Sequence, residues 1–183
     1  DSISCKTAIL DLRNNNAVKN LFREYNPHYI INLVGTKFIG VNSKEEMKYY
    51  KDNQKIMENI LDSANNLSDL RKFITLGSCD EYGESNSPFS EAMHEEPKND
   101  YGAFKLSVTE RVSTLSQSHS LPGLVLRPSV VYGPGQLNEM FIPSLFKAGI
   151  LNKEFDMTIG QQSRDFLFVE DLIIAIFQFL SSD

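Results

Sequence analysis

Short apolar runs alternate along this chain with longer segments in which apolar residues have helical spacing. The apolar runs have the length of strands and few polar interruptions, which is typical of strands buried in a parallel sheet. The predicted strands comprise residues 7–12, 29–35, 71–77 and 124–128. The predicted helices comprise residues 16–24, 43–66 and 100–118, and a largely buried final helix over 169–180. This alternation predicts an α/β fold with a doubly wound parallel sheet covered on both faces.

Beyond residue 130 the pattern changes, because glycine and proline interrupt the apolar segments more often. Gly133, Pro134 and Gly135 come first, and Pro143 and Gly149 follow. These residue types interrupt long regular elements. We therefore predict a boundary between two regions at residue 130, with the final helix returning to the core.

Tyr101 and Lys105 occupy positions i and i+4 at the start of the predicted helix 100–118. That spacing puts both side chains on one helical face, so a phenol and an ammonium can enter the same site. An ordinary tyrosine pKa is about 10, and a neighbouring cation lowers it by stabilising the phenolate. Lys105 is therefore predicted to tune Tyr101 for proton transfer, although the same spacing also occurs by chance.

Ser78 comes directly after the predicted strand 71–77. Ligand crevices in parallel sheets open at the carboxyl ends of the strands, so this hydroxyl is a candidate for hydrogen bonding to a substrate oxygen. A serine at a strand end is also a common turn former. The Tyr101 and Lys105 pair downstream favours the functional interpretation of Ser78.

The composition argues against several classes of function. Eighteen Lys and Arg against 24 Asp and Glu leave a net charge of −6, which disfavours nonspecific nucleic-acid binding. No apolar window approaches the roughly 20 residues of a bilayer span, so no membrane partner is expected. Cys5 and Cys79 are too few for a disulfide framework, which favours a cytoplasmic location. His28, His94 and His119 lack ligand spacing, and no metal site is predicted.

Six motifs in a fixed order carry a resemblance that spans nearly the whole chain. They are Leu10–Arg13; Ile30–Gly35 with Lys37; Tyr49–Asn53; Gly77–Gly83; Tyr101 with Lys105; and Leu126–Gly135 followed by Arg164–Asp171. In these motifs the chain is similar to the extended short-chain dehydrogenase/reductase family of nucleotide-sugar epimerases, dehydratases and reductases. The resemblance implies a Rossmann-like sheet, with residues 1–130 as a partial dinucleotide-binding domain and residues 131–183 as a partial substrate-binding region.

The resemblance also implies a cofactor, NAD or NADP, and a role for individual residues. The catalytic residues would be Ser78, Tyr101 and Lys105; Ser78 would also contact substrate, and the other two would also contact the cofactor. Further cofactor contacts are implied at Asp11 and Leu12 (adenine), at Leu33, Val34, Gly35, Lys37 and Asn53, and at Pro128, Ser129 and Val131 (nicotinamide). Arg164 would bind a phosphate of the nucleotide-sugar, the alternative being a salt bridge with Asp165 or Glu170.

The sequence departs from the family pattern in three places. No Gly-rich turn of the kind that cradles a pyrophosphate precedes Leu10, so on the order of 50–60 further residues are expected upstream, and more after Asp183. The strand end that distinguishes NAD from NADP is also expected upstream, which leaves that choice open.

Family dehydratases place Asp and then Glu after the catalytic hydroxyl, whereas Cys79 follows Ser78 here. In an extended segment this shift turns the carboxylates to the opposite face, which disfavours dehydration. Family members commonly have an asparagine before the Val-Tyr-Gly-Pro segment, where it contacts the substrate diphosphate; this chain has Val130 at that position.

These features predict an NAD(P)-dependent oxidoreductase or epimerase that acts on a nucleotide-activated sugar by a Ser/Tyr/Lys proton relay and hydride transfer. The favoured reactions are epimerisation and 4-keto reduction. One alternative is a noncatalytic nucleotide-binding module, which would need no proton relay. Another is a reductase of a small carbonyl compound, which would not need phosphate recognition by Arg164. The expected partner is the nucleotide-sugar substrate, and a homodimer is left open.

Overall fold

The computed structural model describes residues 5–35, 43–85, 87–161 and 163–182. The described chain forms two compact units, one reaching to Arg127 and the other beginning at Pro128. The predicted boundary at residue 130 separates a cofactor-binding region from a substrate-binding region. Compactness alone does not test these binding roles, so that division stays a prediction. None of the helices in the described ranges has the length and apolar character needed to cross a membrane.

The first unit consists of a parallel sheet with helices between its strands. Its elements are α1 (Asn15–Tyr25), β1 (Tyr29–Asn32), α2 (Ser43–Ala64), β2 (Lys72–Leu76), a short 3-10 helix (Cys79–Tyr82), α3 (Asp100–Gln117) and β3 (Gly123–Leu126). The strands lie in the order β1-β2-β3, and both neighbouring pairs are parallel. This arrangement confirms the predicted α/β fold class, since helices connect parallel neighbours.

The core of this unit lies between the sheet and helices α2 and α3. Phe73 of β2 is fully buried in one cluster with Leu61 of α2 and with Phe104 and Val112 of α3. The opposite face is covered less evenly than the sequence predicted. Ile74 is buried there, whereas Ile31 on the neighbouring edge strand β1 is exposed.

The predicted strand over residues 7–12 is wrong. Residues 5–10 form no regular element, and Ile9 is 98% exposed. An apolar run becomes a strand only when a neighbouring strand satisfies its backbone, and no described segment pairs with this one. The predicted helix that follows is confirmed with a one-residue extension at each end. Asn14 caps it by accepting a hydrogen bond of 3.2 Å from the Ala17 N–H.

The second unit contains short elements that the sequence pattern did not reveal. They are β4 (Val130–Tyr132), α4 (Phe141–Ile150) and β5 (Phe166–Phe168), with β4 parallel to β5. The predicted final helix is present as α5 (Val169–Ser181), but the prediction that it is largely buried is wrong. Leu172 and Ile176, four residues apart, are buried, but Ile173, Ile174 and Phe177 are exposed. Only one face of α5 is covered, although apolar residues occur around the whole helix.

Candidate functional site

Ser78 is held at the carboxyl end of β2 by a reciprocal capping arrangement. Its Oγ accepts a hydrogen bond of 3.1 Å from the Asp80 N–H at the start of the 3-10 helix. Its own N–H donates at 2.8 Å to Oε1 of Glu81. This is the capping-box pattern, in which residues three apart satisfy each other's backbone groups. Ser78 is therefore both buried and fixed in orientation.

Helix α3 begins close to this turn because a glycine lets the two backbones approach. Asn99 caps the helix by accepting 2.7 Å from the Gly102 N–H. A Cβ at Gly102 would lie 2.6 Å from the carbonyl oxygen of Asp80, closer than real Cβ contacts allow. The first turn of α3 thus packs against the 3-10 helix, which brings Tyr101 to Ser78.

Tyr101 interacts with Ser78, but its pKa does not follow the sequence prediction. Burial raises the pKa of the Tyr101 hydroxyl to about 12, and the negative charge of Asp80 adds to the rise. A hydrogen bond with the Ser78 side chain acts in the opposite direction. Lys105 Nζ lies 5.7 Å from the centre of the Tyr101 ring and does not produce the expected lowering. The chain by itself therefore holds Tyr101 as a neutral phenol at pH 7.

Lys105 is buried one helical turn further on. Its Nζ donates to the carbonyl oxygen of Leu76 at 2.8 Å, and a Cβ at Gly35 would lie 3.6 Å from it. The ammonium thus adjoins the ends of both β1 and β2. Burial lowers its pKa, and the negative charge of Glu81 opposes that change. Among the described residues, Leu76 is its only hydrogen-bond acceptor, and an ammonium has three N–H donors, so donors are left that could bind a ligand oxygen.

This donor set fits the reactive half of a nicotinamide dinucleotide. A buried ammonium with donors to spare suits ribose hydroxyls, and the hydroxyls of Ser78 and Tyr101 suit a substrate alcohol or carbonyl. All three groups lie at the carboxyl end of a parallel sheet, where ligands of such folds bind.

The end of β1 carries other predicted cofactor contacts. Leu33 is exposed, Val34 packs against the core, and Gly35 adopts φ +104°, a conformation that favours glycine. Asn53 is buried in α2, where its side-chain amide donates 2.9 Å to the Tyr49 carbonyl oxygen. Lys37 lies outside the described residues. The roles of these five residues stay predictions.

Asp11 and Leu12 form a turn before α1. The Asp11 carboxylate accepts from the Arg13 guanidinium at 2.8 Å, and Arg13 also reaches Asp52 at 3.2 Å. The hydrogen bonds from Arg13 lower the pKa of Asp11 to about 2. The Leu12 carbonyl oxygen accepts 2.8 Å from the Asn59 side chain. Adenine binding by Asp11 and Leu12 stays a prediction. The sequence did not single out Arg13, which occupies the Asp11 carboxylate in this structure.

The other predicted contacts belong to the second unit. Pro128 and Ser129 precede β4, in which Val131 pairs with Leu167 of β5. Arg164 is exposed, and its guanidinium donates 3.0 Å to the Ser163 carbonyl oxygen. The alternative salt bridge with Asp165 or Glu170 is not found within the described ranges. Phosphate binding by Arg164 stays a prediction.

An ion-pair cluster beside Ser78 was missed in the sequence. Glu81 is fully buried, with Arg127 Nε 2.7 Å from its Oε2. Arg127 also contacts Oε1 of Glu95 at 2.6 Å and the Tyr82 hydroxyl at 2.8 Å. The one available signal was a charged residue four positions after the predicted strand 71–77 and another near the end of the predicted strand 124–128, which does not by itself indicate a pair. In the part of the chain described, no group of three or more acidic, His or Cys side chains could hold a metal ion.

The backbone after Ser78 differs from the sequence expectation. Cys79, Asp80 and Glu81 were expected in an extended segment, in which successive side chains alternate between two faces. Residues Cys79–Tyr82 instead form a 3-10 helix, which has three residues per turn. The premise of alternating faces is therefore wrong.

The fold and site together define a Rossmann-like α/β protein with Ser, Tyr and Lys side chains at the end of its parallel sheet. A model of the family described as "NAD dependent epimerase/dehydratase family" matches residues 3–183. The chain belongs to this family.

Individual relatives cover more than one reaction. The chain is 24% identical over 171 residues to a dTDP-D-glucose 4,6-dehydratase of Dictyostelium discoideum, with 86% of this chain and 39% of that protein covered. A solved UDP-N-acetylglucosamine 4-epimerase of Methanobrevibacter ruminantium M1, in complex with UDP-N-acetylmuramic acid, matches with a TM-score of 0.84 and 24% identity. The match covers 95% of this chain and 57% of that one. A UDP-glucuronic acid 4-epimerase of Bacillus cereus, solved with UDP-glucuronic acid and NAD, matches with a TM-score of 0.82 and 24% identity. The match covers 95% of this chain and 55% of that one. The chain thus spans between two fifths and three fifths of the length of these proteins.

Proposed function

We propose that the protein of this chain is an NAD(P)-dependent enzyme that epimerises or reduces a nucleotide-activated sugar. The observation that carries the proposal is the cluster of Ser78, Tyr101 and Lys105 at the carboxyl end of β2. Family membership and the NAD named with the Bacillus cereus structure support the cofactor. A cytoplasmic location and a homodimer stay predictions.

In this proposal each of the three residues handles one task. The Tyr101 hydroxyl donates a proton to, or removes it from, the oxygen at the reacting carbon of the sugar. Ser78 hydrogen-bonds the same oxygen and orients the phenol. Lys105 binds ribose hydroxyls through the N–H groups that Leu76 does not occupy. When bound, the nicotinamide supplies or accepts the hydride at that carbon.

The pKa of Tyr101 limits how this relay works. At about 12, the phenol is protonated at pH 7 and is suited to donating a proton during reduction. For the reverse step it must act as a base, and this needs additional positive charge nearby. Lys105 by itself does not lower the pKa of Tyr101, and an oxidised nicotinamide would supply charge of the required sign when bound. Proton removal is thus coupled to cofactor binding.

Dehydration that uses Glu81 is disfavoured on a new ground. A 4,6-elimination needs a carboxylate that can reach the sugar as acid or base. Glu81 is fully buried and engaged by the Ser78 N–H and Arg127, so it cannot serve in that step, which would fall to Asp80, the carboxylate whose charge acts on Tyr101. Epimerisation and 4-keto reduction need the Tyr101 relay and hydride transfer but no such carboxylate.

Replacing Tyr101 by Phe in the full-length protein tests the proposal. We expect kcat to fall by about 100- to 10,000-fold, the usual contribution of a general acid or base, while NAD binding is retained. The assay uses NAD(H) or NADP(H) with UDP-glucose, UDP-N-acetylglucosamine, UDP-glucuronic acid, dTDP-glucose and their 4-keto forms. Tyr25→Phe removes the same atom from an exposed tyrosine and should change nothing. Unchanged turnover in Tyr101→Phe would refute the catalytic assignment, and dinucleotide binding without turnover on any sugar would favour a noncatalytic module.

A further inference from the structure

We propose that Glu81 and Arg127 are positioning residues, which hold Ser78 in place against Tyr101. This inference rests on the proposed function and extends it to two residues that are not expected to touch substrate.

The Glu81 carboxylate links the backbone of Ser78 to the rest of the fold. It is fully buried, and Oε1 accepts the hydrogen bond of 2.8 Å from the Ser78 N–H. A buried carboxylate carries a large desolvation cost unless charged partners surround it, so those partners dictate its position. Any group that holds this carboxylate therefore also holds Ser78.

Arg127 is that group. It directly follows β3, and its Nε lies 2.7 Å from Oε2 of Glu81, as an ion pair without an aligned hydrogen bond. The same guanidinium donates to the Tyr82 hydroxyl at 2.8 Å and to Glu95 at 2.6 Å. A planar guanidinium presents its N–H groups in fixed directions, so three partners fix its orientation more firmly than they would fix an ammonium. Arg127 thus connects the end of β3 to the turn that carries Ser78.

The backbone leaves room for this arrangement at Gly77. A Cβ there would collide with Oε1 of Glu81 and would lie 3.0 Å from Cγ of Arg127. The glycine lets the carboxylate lie directly against the strand end, between the Ser78 N–H and the guanidinium. The cluster is therefore built around the residue that precedes Ser78.

A positioning role and a purely structural role predict different kinetics. If Arg127 only stabilised the fold, its loss would lower activity by the same factor whether or not the Ser78 hydroxyl is present. If Arg127 acts through Ser78, most of its effect disappears once that hydroxyl is removed. A double-mutant cycle separates the two cases.

The cycle compares Arg127→Met, Ser78→Ala and the double variant in the full-length protein, with the sugar of the panel above that gives the highest turnover. We expect Arg127→Met to lower kcat by up to about 100-fold, the loss that a misplacement of about 1 Å can cause, with KM little changed. Added to Ser78→Ala, it should cause little further loss. Arg127→Lys should restore part of kcat, and Lys55→Met, at an exposed ion pair on α2, should leave kcat unchanged.

Hydrogen exchange at the Ser78 amide gives a readout independent of turnover. Arg127→Met should reduce the protection of this amide by more than that of the α1 amides, which report the general loss of stability, because its acceptor Glu81 loses the partner that holds it. If Arg127→Met does not fold, Glu81→Gln replaces it in the same cycle and the same exchange measurement, because the amide keeps the size of the side chain and loses its charge.

The outcomes separate this inference from the proposed function. Effects that multiply in the double variant, or unchanged exchange at Ser78, overturn the positioning role even when Tyr101→Phe abolishes turnover. Full turnover in Tyr101→Phe overturns the proposed function and with it the kinetic meaning of the cycle. Loss of Ser78 protection together with non-additive kcat values supports the inference.

Discussion

Two arginines in this chain each lie between a pair of carboxylates, in very different surroundings. Arg13 contacts Asp11 at 2.8 Å and Asp52 at 3.2 Å, and its side chain is 51% exposed. Arg127 contacts Glu81 at 2.7 Å and Glu95 at 2.6 Å, and its side chain is only 14% exposed. The shortest distances are similar, so solvent exposure is the main difference between the clusters.

That difference decides what each cluster can do. Water and salt screen exposed charges, so the Arg13 contacts can change at little cost when a ligand approaches. The Arg127 contacts replace hydration that the buried Glu81 has lost, so breaking them leaves a charge without compensation. An exposed cluster suits a surface that rearranges around a ligand, whereas a buried one suits a scaffold that must not move.

The largest expected effect follows from removing each arginine in turn. Arg127→Met should lower the free energy of unfolding by about 3 kcal/mol or more, because it leaves the buried Glu81 carboxylate without its ion-pair partner. Arg13→Met should produce no resolved change in the urea midpoint. Urea unfolding of both variants at low and high salt makes the comparison. Equal shifts in the two midpoints would show that burial does not set the energetic weight of these clusters.

A glycine pair gives the next largest effect. Gly77→Ala places a methyl group against Glu81 and should cost about 1–3 kcal/mol, the range for overpacking a filled site. Gly149→Ala in α4 has nothing within 4 Å of the new atom and should raise stability by up to about 1 kcal/mol. Thermal unfolding measures both. If Gly77→Ala has the stability of the parent, the carboxylate is not confined as described.

The effect expected to be smallest at neutral pH concerns ionisation. The pKa of exposed Asp11 is lowered by its partner Arg13, whereas that of Tyr101 is raised to about 12 chiefly by burial. An unfolded tyrosine ionises at about 10, so Tyr101 contributes stability that is fully present below pH 10 and is lost as the pH rises toward 12.

This contribution can be isolated with Tyr101→Phe. The difference in ultraviolet phenolate absorbance between the parent and the variant should titrate with a midpoint near 12. The loss of stability between pH 10 and 12 should be smaller in the variant than in the parent. A difference titration centred near 10 would instead mean that the phenol is open to solvent in the chain without cofactor.

The elements that the sequence predicted well are those with a local cause. Helices α1, α2 and α3 lie within two residues of their expected bounds, because apolar spacing and caps such as Asn14 act within a few residues. The spacing of Tyr101 and Lys105 follows from helical geometry alone, and both side chains do face the end of β2.

The elements that the sequence missed depend on distant partners. The run at 7–12 has the composition of a strand, but no described segment pairs with it. Glu81 and Arg127 look like ordinary charged residues until the parallel order β2-β3 brings their strand ends together. The pKa of Tyr101 likewise went against the local expectation, since burial among residues far along the chain raises it and the cation one turn away produces no lowering.

Periodicity and side-chain chemistry are properties of neighbouring residues, and they were enough to indicate the fold class and the Ser78, Tyr101 and Lys105 set. Burial and pairing are properties of the folded chain. They determined that Glu81 is paired with Arg127, that Glu81 holds Ser78, and that the pKa of Tyr101 is raised. The physical reason is that the cost of removing a charge from water depends on everything packed around it.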